Sequence, residues 1–344
     1  MNITDSWKEN DAHYCFHHLV SSCDKRIRSV VSSSLMYIFM MGCITVTVGG
    51  NLVVIISITH FHQLHTPTNF LILSLAVADC LLGLMVMPFS MIRSVETCWY
   101  FGNTFCKIHT SCDMMLCTCS ILHLCIIAID RYYAVCDPLH YVTKMTGQVT
   151  GVFLAIIWSV SLFLSFGLVF SEVNLEGIAE YVNSISCDGY CSLIQNKVWG
   201  IVAPTVAFFI PAFVMVGIYV KIFAIAERHV KVARIPDKVP TVSNSKLKKN
   251  NERKAAKTLG IVMGIFLFCW LPFFITTVVD PFLNFSTPSV LFDTALWLGY
   301  FNSTFNPIIY AFFYTWFREA LKLMLSLRIL SMRHAIFPLG KETI

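Results

Sequence analysis

Charge is what this sequence has least of: Asp, Glu, Lys and Arg together make 13% of its 344 residues. A water-soluble domain carries about a quarter, so these charges are too few to cover a water-facing surface. Also missing are the spacings that mark chemistry. There is no CxxC pair, no His/Cys spacing that suggests a metal, and no nucleophile–base pairing, so neither a metalloprotein nor an enzyme is expected. No internal repeat of the kind common in secondary transporters is visible. A short cleavable leader is missing too, because the first 30 residues are polar and rich in charge and His. The first apolar block is therefore expected to act as its own insertion signal.

What the chain does have is apolar residues, 56% of the total, gathered in long blocks. Crossing the ~30 Å hydrocarbon core takes about 20 mostly apolar residues in a helix. Seven such blocks are present, at 34–59, 68–92, 104–136, 148–170, 197–226, 255–279 and 289–313. They predict an all-α membrane protein, a seven-transmembrane-helix bundle over 34–313. A segment 1–33 precedes it and a tail 314–344 follows. The stretch from Lys221 to Lys257 holds eleven Lys/Arg against three acids, and the tail adds Arg318, Lys322, Arg328 and Arg333. The link between blocks four and five is acidic instead, with Glu172, Glu176, Glu180 and Asp188. The positive-inside rule then places the basic loop and the C-terminus in the cytoplasm and the N-terminus outside, and the plasma membrane is the expected location. The sequon Asn2-Ile3-Thr4 makes Asn2 a candidate glycosylation site in that outer segment. The net charge of +5 does not point to nucleic acid, since membrane lipid and topology account for the basic residues. Of fourteen Cys, six (Cys15, Cys23, Cys98, Cys106, Cys187 and Cys191) fall in outer segments where they could pair, and eight lie in helices as small apolar packers.

An ionisable group in hydrocarbon costs at least ~2.5 kcal/mol, so each one is a functional candidate. There are few: Asp79 in block two, then Asp113, His123 and Asp130-Arg131 in block three. His123 reads as a packed interior group. Asp113 and Arg131 are 18 residues apart, about five turns and roughly 27 Å. They share one face at opposite ends of the membrane, with Cys117, Ser120, Leu124 and Ile127 between them. Cys106 lies seven residues before Asp113. A disulfide from it to Cys187 or Cys191 would draw the loop after block four over Asp113 as a lid. Phe266, Trp270, Phe273 and Phe274 in block six and Trp297 and Tyr300 in block seven supply ring faces that attract cations. A carboxylate among such rings suits a protonated amine. Pro88, Pro204, Pro211, Pro272 and Pro307 fall inside apolar blocks, where kinks open space or give helices two packings.

In order along the chain stand Gly50-Asn51, Leu75-Ala76-Val77-Ala78-Asp79, Asp130-Arg131-Tyr132, Trp158, Pro211 with Tyr219, Cys269-Trp270-Leu271-Pro272, and Asn306-Pro307-Ile308-Ile309-Tyr310. One marker per helix over nearly the whole chain resembles the rhodopsin-like G-protein-coupled receptors. The resemblance implies that Arg131 is held at rest by Asp130, and by Glu252 at the inner end of helix six. It implies that Trp270 and Phe266, with Pro211 beside them, relay from the ligand, and that Tyr219 and Tyr310 meet in the active state. It further implies that Asp79, Ser120, Asn302, Ser303 and Asn306 hold an allosteric sodium ion, no other cofactor being expected. Within the family, Asp113 with Trp270, Phe273, Phe274 and Tyr300 is similar to the aminergic branch. Ala203, Pro204 and Ala207 stand where catecholamine receptors place serines.

The runs Pro67-Thr68-Asn69-Phe70-Leu71-Ile72, Cys98-Trp99-Tyr100-Phe101-Gly102 and Asn302 to Tyr310, with Tyr314-Thr315-Trp316-Phe317, resemble trace amine-associated receptors, and among them the first-to-fourth group of subtypes, the fourth in particular. That resemblance implies Cys106–Cys191 and Cys15–Cys187 disulfides, with Cys23 the second choice for Cys187. It implies a primary amine such as phenylethylamine as ligand, a stimulatory or olfactory heterotrimeric G protein as partner, cyclic AMP as output, and olfactory neurons as the setting. Pro204 departs from the pattern and is expected to distort the pocket wall. No Cys follows helix eight (314–325), whose Trp316, Phe317, Leu321 and Leu325 are expected to lie on the inner leaflet. The rival readings are another aminergic-type receptor, an organic-cation transporter, and a receptor for a peptide or lipid.

Overall fold

The computed structural model describes residues 14–232, 242–313 and 315–325, the side chains of 138, 226–259, 315, 324 and 325 lying outside that description. Long helices dominate because the apolar blocks carry few breakers, and the chain signals their starts. Ser29, Thr66, Thr146 and Asn196 each cap a first turn by accepting a backbone N–H, and Pro67 follows Thr66 at the first helical position. The spanning helices are α1 Val30–His60, α2 Pro67–Glu96, α3 Asn103–Cys136, α4 Gly147–Ser171 and α5 Lys197–Ile225. They continue with α6 Val242–Val279 and α7 Ser289–Phe313, and a short α8 Thr315–Leu325 follows. Six of the seven are long and apolar enough to cross a membrane. In α7, Asn302, Ser303, Thr304 and Asn306 dilute the apolar residues. The block limits match within a few residues except at α6, which begins well before 255. Hydropathy marks only the part of a helix in hydrocarbon, and α6 runs on through the basic stretch.

Packing closes a ring. α3 touches α2, α4 and α5; α5 touches α6; α6 touches α7; and α7 returns to α1. Its core includes Leu75, Leu116, Leu124, Phe208, Phe266 and Trp270, all buried. Two helices widen by one π-helical turn, Leu82–Val86 in α2 and Thr205–Phe209 in α5. Each widened turn ends two residues before a proline, Pro88 or Pro211. Lacking an N–H, the proline leaves a carbonyl of the preceding turn without its helical donor, and the turn relaxes into the wider form. Pro204, expected to distort the pocket wall, closes the regular α-helical stretch Lys197–Pro204, and the π turn starts at the next residue.

At the end of the bundle that carries Cys106, three disulfides join the loops: Cys106–Cys191, Cys15–Cys98 and Cys23–Cys187. The first is as expected. The expected Cys15–Cys187 bond is not formed, because residues 14–24 fold back on themselves. Tyr14 pairs with Asp24, the Cys15 N–H donates to the Cys23 carbonyl at 2.9 Å, and Ser22 pairs alongside Asp188. That register sets Cys23 against Cys187 and turns Cys15 to Cys98. The Trp99 N–H donates to the Gly189 carbonyl at 2.8 Å, locking the two loops together. Gly189 has φ +106°, and a Cβ there would meet that of Cys15 at 2.7 Å, so only glycine fits. Lys25 anchors the strap with an ion pair to Glu96 at 2.6 Å, a hydrogen bond that lifts the lysine above its ordinary range.

At the opposite end, Trp316, Phe317 and Ala320 of α8 are buried against Val54, Ile58 and Phe61 of α1 and Tyr310 of α7. This corrects the expectation that Trp316 and Phe317 rest on the leaflet. A short amphipathic helix hides its two largest rings where protein surface is already available. The side chain of Leu325, and the sequon at Asn2, lie outside the described residues.

Candidate functional site

Asp113 sits half-buried on α3, two turns from Cys106, at the wall of a cavity of about 120 Å3. That is close to the ~150 Å3 that accepts one benzene ring. Cys117 lines it one turn further along α3, Trp270, Phe273 and Phe274 line it from α6, and Ala203, Pro204 and Ala207 from α5. Leu193 and Gln195 close it from the loop that the Cys106–Cys191 bond ties down. Among the described residues Asp113 is the one charged group on the lining, and no basic side chain pairs with it. The Tyr300 hydroxyl donates to Oδ2 at 2.7 Å, and the Cys117 thiol donates to Oδ1 at 3.4 Å.

The two aromatic residues expected from α7 do not line the cavity. Tyr300 stands behind Asp113, fully buried, and Trp297 packs edge-on against it at 5.5 Å with its indole N–H on Ser94 at 3.2 Å. They support the carboxylate, whereas α6 supplies the ring faces. Trp270 reaches its place because residue 299 is glycine. A Cβ there would sit 2.6 Å from Cζ3 of the indole. Phe274 stacks on Phe208 at 4.5 Å, and Phe208 contacts Phe266 at 5.6 Å, so rings run from the cavity down toward the opposite end beside Pro211. None of Gly299, Ser90, Gln195 or Phe208 was singled out in the sequence. Gly299, Ser90 and Phe208 are small or apolar like their surroundings, Gln195 is one polar residue among several in its loop, and only the fold gives them a role.

Below the cavity, Asp79 is fully buried. It accepts from Ser120 at 3.0 Å and Ser303 at 2.6 Å on Oδ1, and from Asn306 at 2.6 Å on Oδ2. Asn302 is adjacent in sequence and buried, its amide nitrogen lacking a partner among the described residues. Asn51 ties α1 to this region through the Ser303 carbonyl at 3.3 Å, and Thr47 meets Thr304 at 2.7 Å. His123 is a packed interior group, 2.8 Å from Ser74, which also takes the Trp158 indole N–H at 2.9 Å.

At the far end of α3, Arg131 holds Asp130 with Nε at 2.8 Å and a terminal nitrogen at 2.5 Å, and also bonds Thr68. Thr68 and the Tyr141 hydroxyl donate to Asp130 as well, at 2.8 and 3.0 Å. Asp130 is thus fully satisfied from α2, α3 and the short helix Pro138–Lys144. Thr68 and Tyr141 are further partners that the sequence did not suggest. A small cavity of about 50 Å3 brings Arg131, Tyr219, Phe266, Asn306 and Tyr310 to one place. Tyr132 packs near Ile222 of α5, and Pro307 is buried inside α7. The Glu252 side chain, expected to be Arg131's second partner, lies outside the described residues. Among those described, no group of three His, Cys, Asp or Glu could hold a metal ion.

Residues 50–310 match the model of the 7 transmembrane receptor (rhodopsin family). Trace amine-associated receptor 4 of Mus musculus is 56% identical over 329 residues, 95% of each chain. Trace amine-associated receptor 2 of Rattus norvegicus is 54% identical over 96% of each chain. Trace amine-associated receptor 13c of Danio rerio is 51% identical over 94% of this chain and 95% of its own.

Proposed function

The chain belongs to the rhodopsin family of 7 transmembrane receptors, and within it to the trace amine-associated receptors, and we propose that it detects a small primary amine through Asp113. As a member it is a multi-pass membrane receptor for a small molecule, with a G protein as partner, and not an enzyme. One carboxylate on an otherwise uncharged, ring-lined wall carries the proposal. A buried charge without a counter-charge is costly, and an ammonium supplies one. The faces of Trp270, Phe273 and Phe274 add about 0.5–2 kcal/mol each. The cavity holds little more than one ring, and the alanines at 203 and 207 offer a catechol no hydrogen-bond partner, so a phenylethylamine-like ligand fits better than a catecholamine.

The disulfide end faces outward, because bonds of this kind persist in oxidising surroundings, and the basic 221–257 stretch faces the cytoplasm. The amine then arrives beneath the loop bearing Leu193 and Gln195. It favours the state in which Arg131 leaves Asp130, by as much as its affinity for the two states differs. A stimulatory G protein, cyclic AMP and an olfactory setting follow from the family resemblance. We also place a sodium ion at Asp79. Its carboxylate and the Ser120 and Ser303 hydroxyls are hard oxygen donors, and the carboxylate has three neutral donors but no cationic partner among the described residues.

The test is a cyclic AMP dose–response with primary and tertiary amines in cells expressing the receptor, normalised to surface receptor. Removing one member of a desolvated charge pair costs about 3–5 kcal/mol, so Asp113→Ala should lose amine potency by 10^2-fold or more. An Asp113→Ala receptor at the surface with unchanged amine potency would sink the proposal.

A further inference from the structure

We propose that His109 and Ser90, neither of which lines the cavity, position Asp113 for the ammonium by fixing the direction of the Tyr300 hydroxyl. The inference rests on Asp113 being the amine site. It begins with an unbroken polar chain across three helices. Val86 and Ser90 belong to α2, His109 and Asp113 to α3, and Tyr300 to α7. His109 Nε2 lies 3.2 Å from the Val86 carbonyl and 3.4 Å from Ser90 Oγ. Ser90 Oγ lies 3.2 Å from the Tyr300 hydroxyl, which is 2.7 Å from Asp113 Oδ2.

Each hydrogen in the chain can be assigned from what its neighbour is able to do. A carbonyl oxygen only accepts, so Nε2 of His109 carries the hydrogen, and that one N–H is shared between the Val86 carbonyl and Ser90 Oγ. Ser90 then accepts from His109 and turns its own hydrogen to Tyr300. Tyr300 accepts from Ser90 and turns its hydrogen to Asp113. A carboxylate also only accepts, so the two ends of the chain demand the same direction. Every donor points from His109 toward Asp113. Oδ2 is thereby occupied by a strong donor, while Oδ1, facing the weak Cys117 thiol at 3.4 Å, is left for the ligand.

His109 is well held for such a task. It is 2% exposed, its ring centroid lies 5.0 Å from that of Trp99 and 6.1 Å from that of Phe89, and Trp99 follows the disulfide-bonded Cys98. The imidazole is wedged between the strapped loop and the relay, outside the cavity lining. The π turn of α2 contributes as well, since Val86 is its last residue and presents the carbonyl that settles the tautomer.

The experiment is a double-mutant cycle read as binding of radiolabelled phenylethylamine to membranes, normalised to surface receptor. Loss of one neutral hydrogen bond is worth about 0.5–1.5 kcal/mol, so Ser90→Ala and His109→Leu should each weaken binding about three- to tenfold. In a Tyr300→Phe background neither should have any further effect, because the hydroxyl they direct is gone. His109→Gln, whose amide N–H can reach the same carbonyl, should regain most of the affinity. A merely structural role would lose the same factor with or without the Tyr300 hydroxyl, and that additivity overturns the inference, as does unchanged affinity in Ser90→Ala. Should His109→Leu fail to reach the surface, Ser90→Ala decides alone. Asp113→Ala separates the two levels: if it keeps binding, the amine site itself is wrong, whereas if it abolishes binding while Ser90→Ala does not weaken it, only the relay is.

Discussion

Trp270 owes its position to a missing methyl group. With glycine at 299, the indole lies against the backbone of α7, and an added Cβ would stand 2.6 and 2.7 Å from two of its ring carbons. Overpacking of this kind costs about 1–3 kcal/mol, and the ring's open side faces the cavity. Gly299→Ala should therefore push Trp270 into the ligand space. We expect potency to fall for phenylethylamine and to hold for a short alkylamine, measured as cyclic AMP dose–responses. Equal losses for both would count against that displacement. At this scale the costly residues were the legible ones. Asp79, Asp113 and Arg131 stand out of an apolar helix because charge there demands a reason. Ser90, Thr68 and Tyr141 do not, since hydroxyls in helices often bond their own backbone, as Thr45 does with the Met41 carbonyl at 2.8 Å. The Cys15–Cys98 bond was hidden for another reason. A disulfide follows the register of a folded strap, and composition says nothing of register.

The helices behave differently from their residues. All seven blocks became helices, because twenty apolar residues without competing turn chemistry leave the backbone no other way to satisfy itself in a bilayer. The π turns before Pro88 and Pro211 are legible only in part: the proline announces a break, but whether the helix kinks or widens depends on its neighbours. Helix α8 shows how packing overrides pattern. Its Trp316 and Phe317 have the spacing of a membrane-facing stripe, yet they are 7% and 3% exposed against α1. Truncating a buried Trp costs about 3–5 kcal/mol. Trp316→Ala should thus lower the melting temperature of purified receptor and its surface level, whereas a stripe resting on lipid would lose membrane contact and leave the melting temperature where it was.

Across the whole molecule, three charged stations stand in one column along α3: its own Asp113 under the strapped loops, the α2 carboxylate Asp79 that its Ser120 joins, and its own Arg131 at the far end. The middle station touches α2, α3 and α7 together, so an ion there would favour the packing in which all three carboxylate donors converge. By linkage, a ligand that prefers the other packing must then bind more weakly as that ion is added. Replacing N-methylglucamine by sodium should lower amine affinity several-fold in membranes, and Asp79→Asn should erase the difference. An identical sodium effect in the variant would exclude Asp79 as its seat.

Helix α7 has one more consequence, and it concerns biosynthesis. It is the spanning helix that is not apolar enough to cross a membrane by its own composition. The groups that make it so are answered by partners on helices already synthesised: Thr304 by Thr47, Ser303 and Asn306 by Asp79, Tyr300 by Asp113. Those partners should hold α7 in the bilayer once α1, α2 and α3 stand together, which makes this last crossing a reporter on the assembly of the others.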